Sequence, residues 1–228
     1  MADARLGATT DCAKIAGMTT PQTPAFPDAA QHWNQRFQTD EYVFGTEPNL
    51  WLRDHAALLA PGQRALCVAD GEGRNSVWLA QQGLVTDAFD FAENAVNKAR
   101  RLAQQAGVTV HFDVGDCDTW AWPGQTYDVV AAIFIQFADP DMRRRIFANI
   151  KRTLKPGGLV ILQGYGPKQM EYRTGGPGKL SHLYTLPLLR AAWEDFDILE
   201  LQDYEAELHE GARHAGRSAL VGMVARKR

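Results

Sequence analysis

VADGEGRN, residues 68–75, is the stretch whose reading decides the fold. ALCV before it is a short apolar run, and RNSVWLAQQG from Arg74 onward reads as a helix. Two glycines, Gly71 and Gly73, between such a run and a helix predict a strand that turns sharply beside a ligand. The loop also carries two carboxylates, Asp70 and Glu72, where a phosphate-binding loop wants none.

The strand–loop–helix pattern repeats outward from this point. VTDAFDF (85–91) predicts a second strand, and AENAVNKARRLAQQAG a helix with Val96, Ala99, Leu102, Ala103 and Ala106 on one face, stopped at Gly107. VTVHFDV (108–114) and TYDVVAAIFI (126–135) predict strands three and four; the latter is apolar almost throughout, as a strand covered on both faces must be. DMRRRIFANIKRTL is an amphipathic helix halted by KPGG, and LVILQGY (159–165) follows as a fifth strand. The arginines Arg143, Arg144 and Arg145 are expected on its solvated face. Such alternation implies an α/β fold with a parallel sheet and helices on both sides.

The end breaks the rhythm. FDILELQDYEAEL (196–208) and SALVGMVARK (218–227) are separated only by the polar, glycine-containing stretch HEGARHAGR, so they pair antiparallel. The last is apolar and belongs inside the sheet; the acidic one before it takes the edge. HEGARHAGR reads as a solvated hairpin loop, with the alternative that it reaches over the ligand.

Composition bounds the function. With 228 residues, 45% hydrophobic and 22% charged, the chain supports one well-buried domain. A formal charge of -3 gives no basic face for nucleic acid. No run of 18 apolar residues predicts a membrane span, and the N-terminus has no apolar signal core, so a cytoplasmic location is expected. Cys12, Cys67 and Cys117 are too scattered for a disulfide framework or a zinc site, and the six histidines lack metal-ligand spacing, so no metal is expected. Residues 1–28 read as a weakly ordered tail and 29–228 as a single domain, in which 29–60 form N-terminal cap helices. A monomer or homodimer is expected.

A lone GxG leaves an ordinary strand-to-helix turn equally open. Asp90 ends strand two, nineteen residues after Gly71, where a carboxylate accepts from both ribose hydroxyls. Asp116 follows strand three, placed to meet an adenine edge, and the third glycine of GxGxxG is replaced by Ser76. A pyrophosphate beside Asp70 and Glu72 would meet like charges, each costing on the order of 1 kcal/mol. A cofactor with a ribose, an adenine and a cationic centre avoids that cost, and S-adenosylmethionine answers the description. NAD, in an oxidoreductase, is the competing reading, and a cofactor-binding module without catalysis is a third.

Taken in order, DGEGRN, the strand ending in Asp90, GDCDTW, YDVVAAIF and LKPGG resemble the class I S-adenosylmethionine-dependent methyltransferases, over residues 31–228. EYVFGTEPNLWL, GEGRNSVWLA, GYGPKQMEYRTGGPG and LYTL resemble a bacterial small-molecule branch related to the tellurite-resistance methyltransferases. The resemblance implies a Rossmann-like core over 61–228, with a seven-stranded sheet whose last strand is antiparallel. It implies that Gly71 and Gly73 run under the cofactor, with Arg74 and Asn75 in the same loop. Asp90, beside Phe91, holds the ribose, Asp116 and Cys117 contact adenine, and Phe134 borders the methionine moiety. The chain departs from the family pattern at Cys67 and Ala69, so either Asp70 takes over the amino-group contact or the cofactor binds less well. Gln136 stands where this branch often has histidine, so no histidine base is expected there.

Methyl transfer needs alignment above all, and a base only for an oxygen or amine acceptor. The acceptor, a small molecule such as a thiol or chalcogen oxyanion, is expected under a roof made by the N-terminal segment and the loop after strand five. Tyr42, Gln136 and Tyr165 are the candidate catalytic residues. Trp33, Arg36, Gln163 and Arg173 are the candidate substrate contacts, Arg36 suiting an anion. Trp33, Phe37 and Tyr42 equally suit a purely structural role, pinning an N-terminal helix. The glycines of 164–183 suggest a lid, with an ordinary surface excursion as the alternative.

Overall fold

The computed structural model describes residues 33–211 and 214–228. The expected tail, with Cys12, and the hairpin residue Arg213 lie outside the described residues.

Seven strands form one sheet in the order β3-β2-β1-β4-β5-β7-β6. The first five, β1 (Arg64–Val68), β2 (Val85–Asp90), β3 (Val110–Val114), β4 (Tyr127–Ile133) and β5 (Leu154–Tyr165), run parallel. β7 (His214–Lys227) enters between β5 and β6 (Phe196–Glu210) and is antiparallel to both. The expected topology, with the acidic strand at the edge and the apolar one inside, is therefore present. Strand order reverses between β1 and β4, and this reversal fixes where a ligand can sit.

The helices follow their sequence signals. α3 (Arg74–Gln81) starts at Gly73, and α4 (Glu93–Ala106) ends at Gly107 in the left-handed conformation (φ +66°). α5 (Pro140–Thr153) opens with Pro140 behind Asp139, whose carboxylate accepts from the amides of Asp141 and Met142. Met142, Ile146, Phe147 and Ile150 point inward from α5. Arg143, expected in solvent with its neighbours, is buried and donates to the Ser181 carbonyl at 2.9 Å; Arg145 pairs with Asp118. Within the expected cap helices of 29–60, α2 (Leu50–Asp54) passes after one residue into a 3-10 turn, Ala56–Leu58. A helical turn α1 (33–36), a short α6 (Gln169–Tyr172) and α7 (Leu186–Ala192) complete the described helices.

Side chains of β4 alternate between two cores. Val130 and Ala132 join α5, α7 and Trp193 on one face, while Val129, Ala131 and Ile133 join Trp51, Leu52 and Leu79 on the other. Burial on both faces is why the strand carries no polar alternation.

The terminal hairpin is longer than its polarity suggested. The β6–β7 ladder continues to the Glu210–His214 pair, so most of HEGARHAGR is strand, with Gly211 at the described end of the tip. That tip is docked: a side chain at Gly211 would lie 2.4 Å from the Val43 carbonyl and 2.6 Å from the Gly45 amide. The tip of the terminal hairpin thus closes against residues 43–45, above the carboxyl ends of β1 and β4.

Candidate functional site

Two non-glycine residues have left-handed backbones at the switch point: Ala69 (φ +49°) just after β1 and Phe134 (φ +55°) just after β4. A bulky residue there is strained by roughly 1–3 kcal/mol, and such strain concentrates where a chain is shaped for a ligand. Phe134 is held by its amide, which donates to the Gln163 carbonyl at 2.8 Å. Between these two residues opens a cleft of about 810 Å³, counted out to its open mouth. Its floor is Cys67 to Glu72, with Asp90 and Phe91 to one side, Phe134 and Phe137 to the other, and Trp33, Phe44 and His214 above.

Asp90 is buried, and its two oxygens accept from the amides of Gly71 and Ala92, each at 2.9 Å. Burial pushes its carboxyl up to about 6, against those two hydrogen bonds. Asp70 accepts from the Ser76 hydroxyl at 2.5 Å through Oδ2, while its Oδ1 is buried without a hydrogen-bond partner. Desolvation pushes Asp70 up to about 6 as well, and burial with the Asp70 charge raises the Cys67 thiol. Ser76, the missing third glycine, is thus the group that orients Asp70.

Glu72 behaves differently from the sequence expectation. It borders the cleft, but Lys98 Nζ lies 2.5 Å from its Oε1, an ion pair at an angle short of a hydrogen bond. The Phe44 amide donates to its other oxygen at 3.3 Å. Lys98, itself buried on α4, neutralises the charge that the sequence argument counted against a pyrophosphate. Asp70 alone carries that argument.

Gly73 does not line the cleft. A side chain there would sit 2.7 Å from the Ala99 methyl, and its φ is +93°, so this glycine lets α3 cross α4 closely. Arg74 and Asn75 border the cleft from behind: Arg74 pairs with Glu210 at 2.9 Å, and Asn75 accepts from the Asn49 amide at 3.0 Å. Asp116 caps its own turn, accepting from the Asp118 and Thr119 amides. Cys117 is buried in the core, its thiol pushed up by burial, and its carbonyl accepts from Trp122 Nε1 at 3.0 Å. Neither Asp116 nor Cys117 borders the cleft, whereas Phe91 does, with Phe137 6.2 Å across from it.

The expected acceptor residues are divided. Trp33 borders the cleft, stacked on Phe37 at 5.7 Å, with the Arg36 guanidinium 4.4 Å over its ring; Arg36 itself is not in the lining. Tyr42 turns away: its hydroxyl donates to the Lys98 carbonyl at 3.2 Å, and burial raises its pKa. Both ends of the Gln136 amide are engaged, accepting from the Tyr165 amide at 2.6 Å and donating to the Tyr165 and His182 carbonyls. It is a latch between the loop after β4 and the end of β5. Gln163 accepts from Asn49 at 2.6 Å and donates to the Tyr204 hydroxyl, beneath the cleft. Arg173 is exposed at the end of α6 and is not in the lining. Segment 164–183 is stitched to β7 through Gly166, Gln169 and Thr174, as an ordered excursion.

Tyr165 lies just behind the lining, its ring 4.8 Å from Phe134; its buried hydroxyl has no hydrogen-bond partner, and burial raises its pKa. Beside it stands a cluster that the sequence reading missed. Glu210 receives Arg74 on one oxygen and the Asn49 amide nitrogen on the other at 2.9 Å, and His214 Nδ1 lies 3.5 Å from it. Burial alone would raise Glu210, yet His214 and Arg74 hold it at about 2. The sequence had left open that HEGARHAGR reaches over the ligand, as His214 does, but nothing in it showed Glu210 meeting Arg74 and Asn49.

An open α/β sheet with a glycine loop after β1, a carboxylate ending β2 and a cleft at the strand-order switch is the frame of a Rossmann-like cofactor-binding domain, and β7 inserted antiparallel beside β5 is the arrangement that the resemblance to the class I S-adenosylmethionine-dependent methyltransferases implied. Residues 65–158 match the family model described as a methyltransferase domain. The wheat phosphoethanolamine N-methyltransferase is 31% identical over 110 residues, which are 47% of this chain and 21% of the wheat enzyme. The chain therefore spans about a fifth of that relative's length. TehB from Haemophilus influenzae shares the fold with a TM-score of 0.66 at 18% identity, over 87% of this chain and 67% of TehB. Magnesium protoporphyrin IX methyltransferase from Synechocystis PCC 6803, solved with bound S-adenosylhomocysteine, does so with a TM-score of 0.63 at 16% identity, over 89% and 96%. The cofactor of the class is S-adenosylmethionine. The cleft fits it: the buried, unpartnered oxygen of Asp70 suits a cationic group and would repel a phosphate. Among the described residues no group of three or more His, Cys, Asp or Glu side chains is arranged to hold a metal, and no helix is long and apolar enough to cross a membrane.

Proposed function

We propose that the protein transfers the methyl group of S-adenosylmethionine to a small-molecule acceptor. The observation that carries this is the pairing, at one switch point, of Asp90 with the unpartnered oxygen of Asp70. Asp90 keeps lone pairs free beyond its two amide partners, and these accept from the ribose hydroxyls. Adenine lies between Phe91 and Phe137, which face each other across the cleft at 6.2 Å. Asp70 faces the amino group of the methionine end, taking over a contact the family assigns elsewhere. Gly71 turns beneath it, and Arg74 and Asn75 fix the loop through Glu210 and Asn49.

The bound cofactor supplies an electrophilic methyl on a good leaving group. The chain supplies alignment and water exclusion: Phe44, Phe134 and Trp33 form an apolar wall over the methionine end. Holding two reactants in line is worth roughly 7–11 kcal/mol in favourable systems, enough for much of the rate. The acceptor chemistry follows from that wall, which favours a small molecule with an apolar body over a nucleic acid or a protein surface.

The test is thermal unfolding with S-adenosylmethionine, S-adenosylhomocysteine and NAD at matched concentrations. A ligand at one hundred times its Kd adds about 2.7 kcal/mol. The two adenosyl compounds should raise the midpoint and NAD should not, with the shift lost in Asp90→Ala. A shift with NAD alone would replace the methyltransferase by an oxidoreductase. Binding without turnover on any acceptor would leave a sensor module.

A further inference from the structure

We propose that His214, oriented by Glu210, takes the proton from a protic acceptor bound at the aromatic end of the cleft. The inference rests on the methyltransferase reading and adds to it the chemical class of the acceptor, an O–H or S–H compound with an aromatic or apolar body.

The argument is geometric. His214 is the one histidine among the described residues that borders the cleft. Its side chain is 12% exposed, enough to meet a ligand and too little to titrate as a surface group. Three rings hold it from different elements: Phe134 at 4.5 Å, Phe44 at 4.6 Å and Tyr165 edge-on at 5.8 Å. Nδ1 is buried without a hydrogen-bond partner and faces Glu210 Oε2 at 3.5 Å, a separation that must tighten for the bond to form. Catalytic hydrogen bonds are often this loose before the reactants are bound. With Nδ1–H directed at Glu210, Nε2 is left with its lone pair for the cleft, the arrangement of a base positioned by a carboxylate.

The charged groups facing the imidazole divide the work. From β6, Glu210 stabilises an imidazolium once it forms. From α3, Arg74 opposes protonation at rest, and desolvation does so more strongly, so the ring waits neutral. From β5, Tyr165 keeps its proton and adds no charge. Phe44 and Phe134 add none. Glu210 remains a carboxylate because His214 and Arg74 lower its pKa against the effect of burial.

The balance closes without another reactant. The acceptor's lone pair forms the new bond to the methyl carbon, and the methyl–sulfur bond breaks with its electron pair staying on sulfur. The acceptor's proton passes to Nε2 of His214, and later to water at the mouth of the cleft. An acceptor that has no proton to lose gains nothing from this histidine. The base absent at Gln136 is thus supplied by the terminal hairpin.

The experiment uses the full chain and His214→Asn, with catechol, 2-naphthol and 2-mercaptoethanol as acceptors and release of S-adenosylhomocysteine as the readout. Calorimetry with S-adenosylhomocysteine runs alongside. The wild type should methylate at least one of the three. His214→Asn should lose about 10²-fold or more of that rate, bind S-adenosylhomocysteine within about threefold of the wild type at neutral pH, and lose the wild-type fall in kcat at acidic pH when S-adenosylmethionine is saturating at every pH. Nitrogen-15 spectra should place the His214 titration below the ordinary 6.5 in the wild type, and lower still in Glu210→Gln. Methylation of none of the three, a variant rate within threefold of wild type, an unchanged pH profile or an unmoved histidine titration would each overturn the proposal. Failure of the wild type to bind S-adenosylhomocysteine would instead remove the methyltransferase reading beneath it.

Discussion

Asp70 and Asp90 each hold their proton to about pH 6, because burial penalises the charged form more than their hydrogen bonds favour it. A carboxyl whose folded pKa lies above its unfolded value of about 3.9 stabilises the fold fully below that value. That contribution is lost as pH rises through 6, so ligand-free stability should decline across this window. Ligand binding runs the other way, since an amino cation and ribose hydroxyls both want carboxylates. The affinity for S-adenosylhomocysteine should therefore rise about tenfold from pH 5 to pH 7 and then level, and Asp70→Asn should flatten the rise. Calorimetry at four pH values checks it; a flat wild-type profile would sink the amino-group role of Asp70. Tyr42→Phe should behave in contrast as a packing change. It loses one hydrogen bond worth about 1 kcal/mol and should leave that affinity unmoved. Asp90 was legible because the end of a strand and a fixed spacing place it. Lys98 was not, since nothing local shows that a helix lysine points inward to meet Glu72.

Among the elements, the crossing of α3 and α4 is set by Gly73. Gly73→Ala combines a left-handed backbone with a methyl driven into Ala99, and should cost about 2–3 kcal/mol in urea unfolding. The same variant, if folded, should keep its cofactor affinity, because Gly73 is not in the lining. Here the GxG pattern was read for a ligand when half of it serves packing; sequence spacing does not distinguish the two. The hairpin shows the opposite error. HEGARHAGR is polar and glycine-containing, the composition of a turn, yet pairing from Glu210 to His214 makes it strand. Tertiary contacts with Arg74, Asn49 and the Phe44 segment override local propensity. Strands β1, β4 and the second half of β5 were legible for the converse reason, since burial on both faces writes itself as unbroken apolar runs.

Over the whole molecule, the Arg74–Glu210 pair joins the cofactor loop to the end of the chain, 136 residues apart in sequence. Glu210→Gln leaves a buried guanidinium without its counter-charge and should cost about 3–5 kcal/mol. A double variant, Arg74→Met with Glu210→Leu, should recover much of that loss. Chemical denaturation of the three proteins measures both; equal loss in the single and double variants would assign the damage to hairpin packing.

The position of β7 has a consequence for how the molecule is made. A ribosome releases β1 to β6 before the strand that belongs between β5 and β6 exists. Until then the apolar edge of β5, from Leu159 to Tyr165, offers its unpaired amides and carbonyls to any neighbouring chain. A chain clipped by a carboxypeptidase before residue 214 keeps that edge for good and lacks the roof of its cleft. Capture on immobilised S-adenosylhomocysteine would therefore separate finished molecules from unfinished ones.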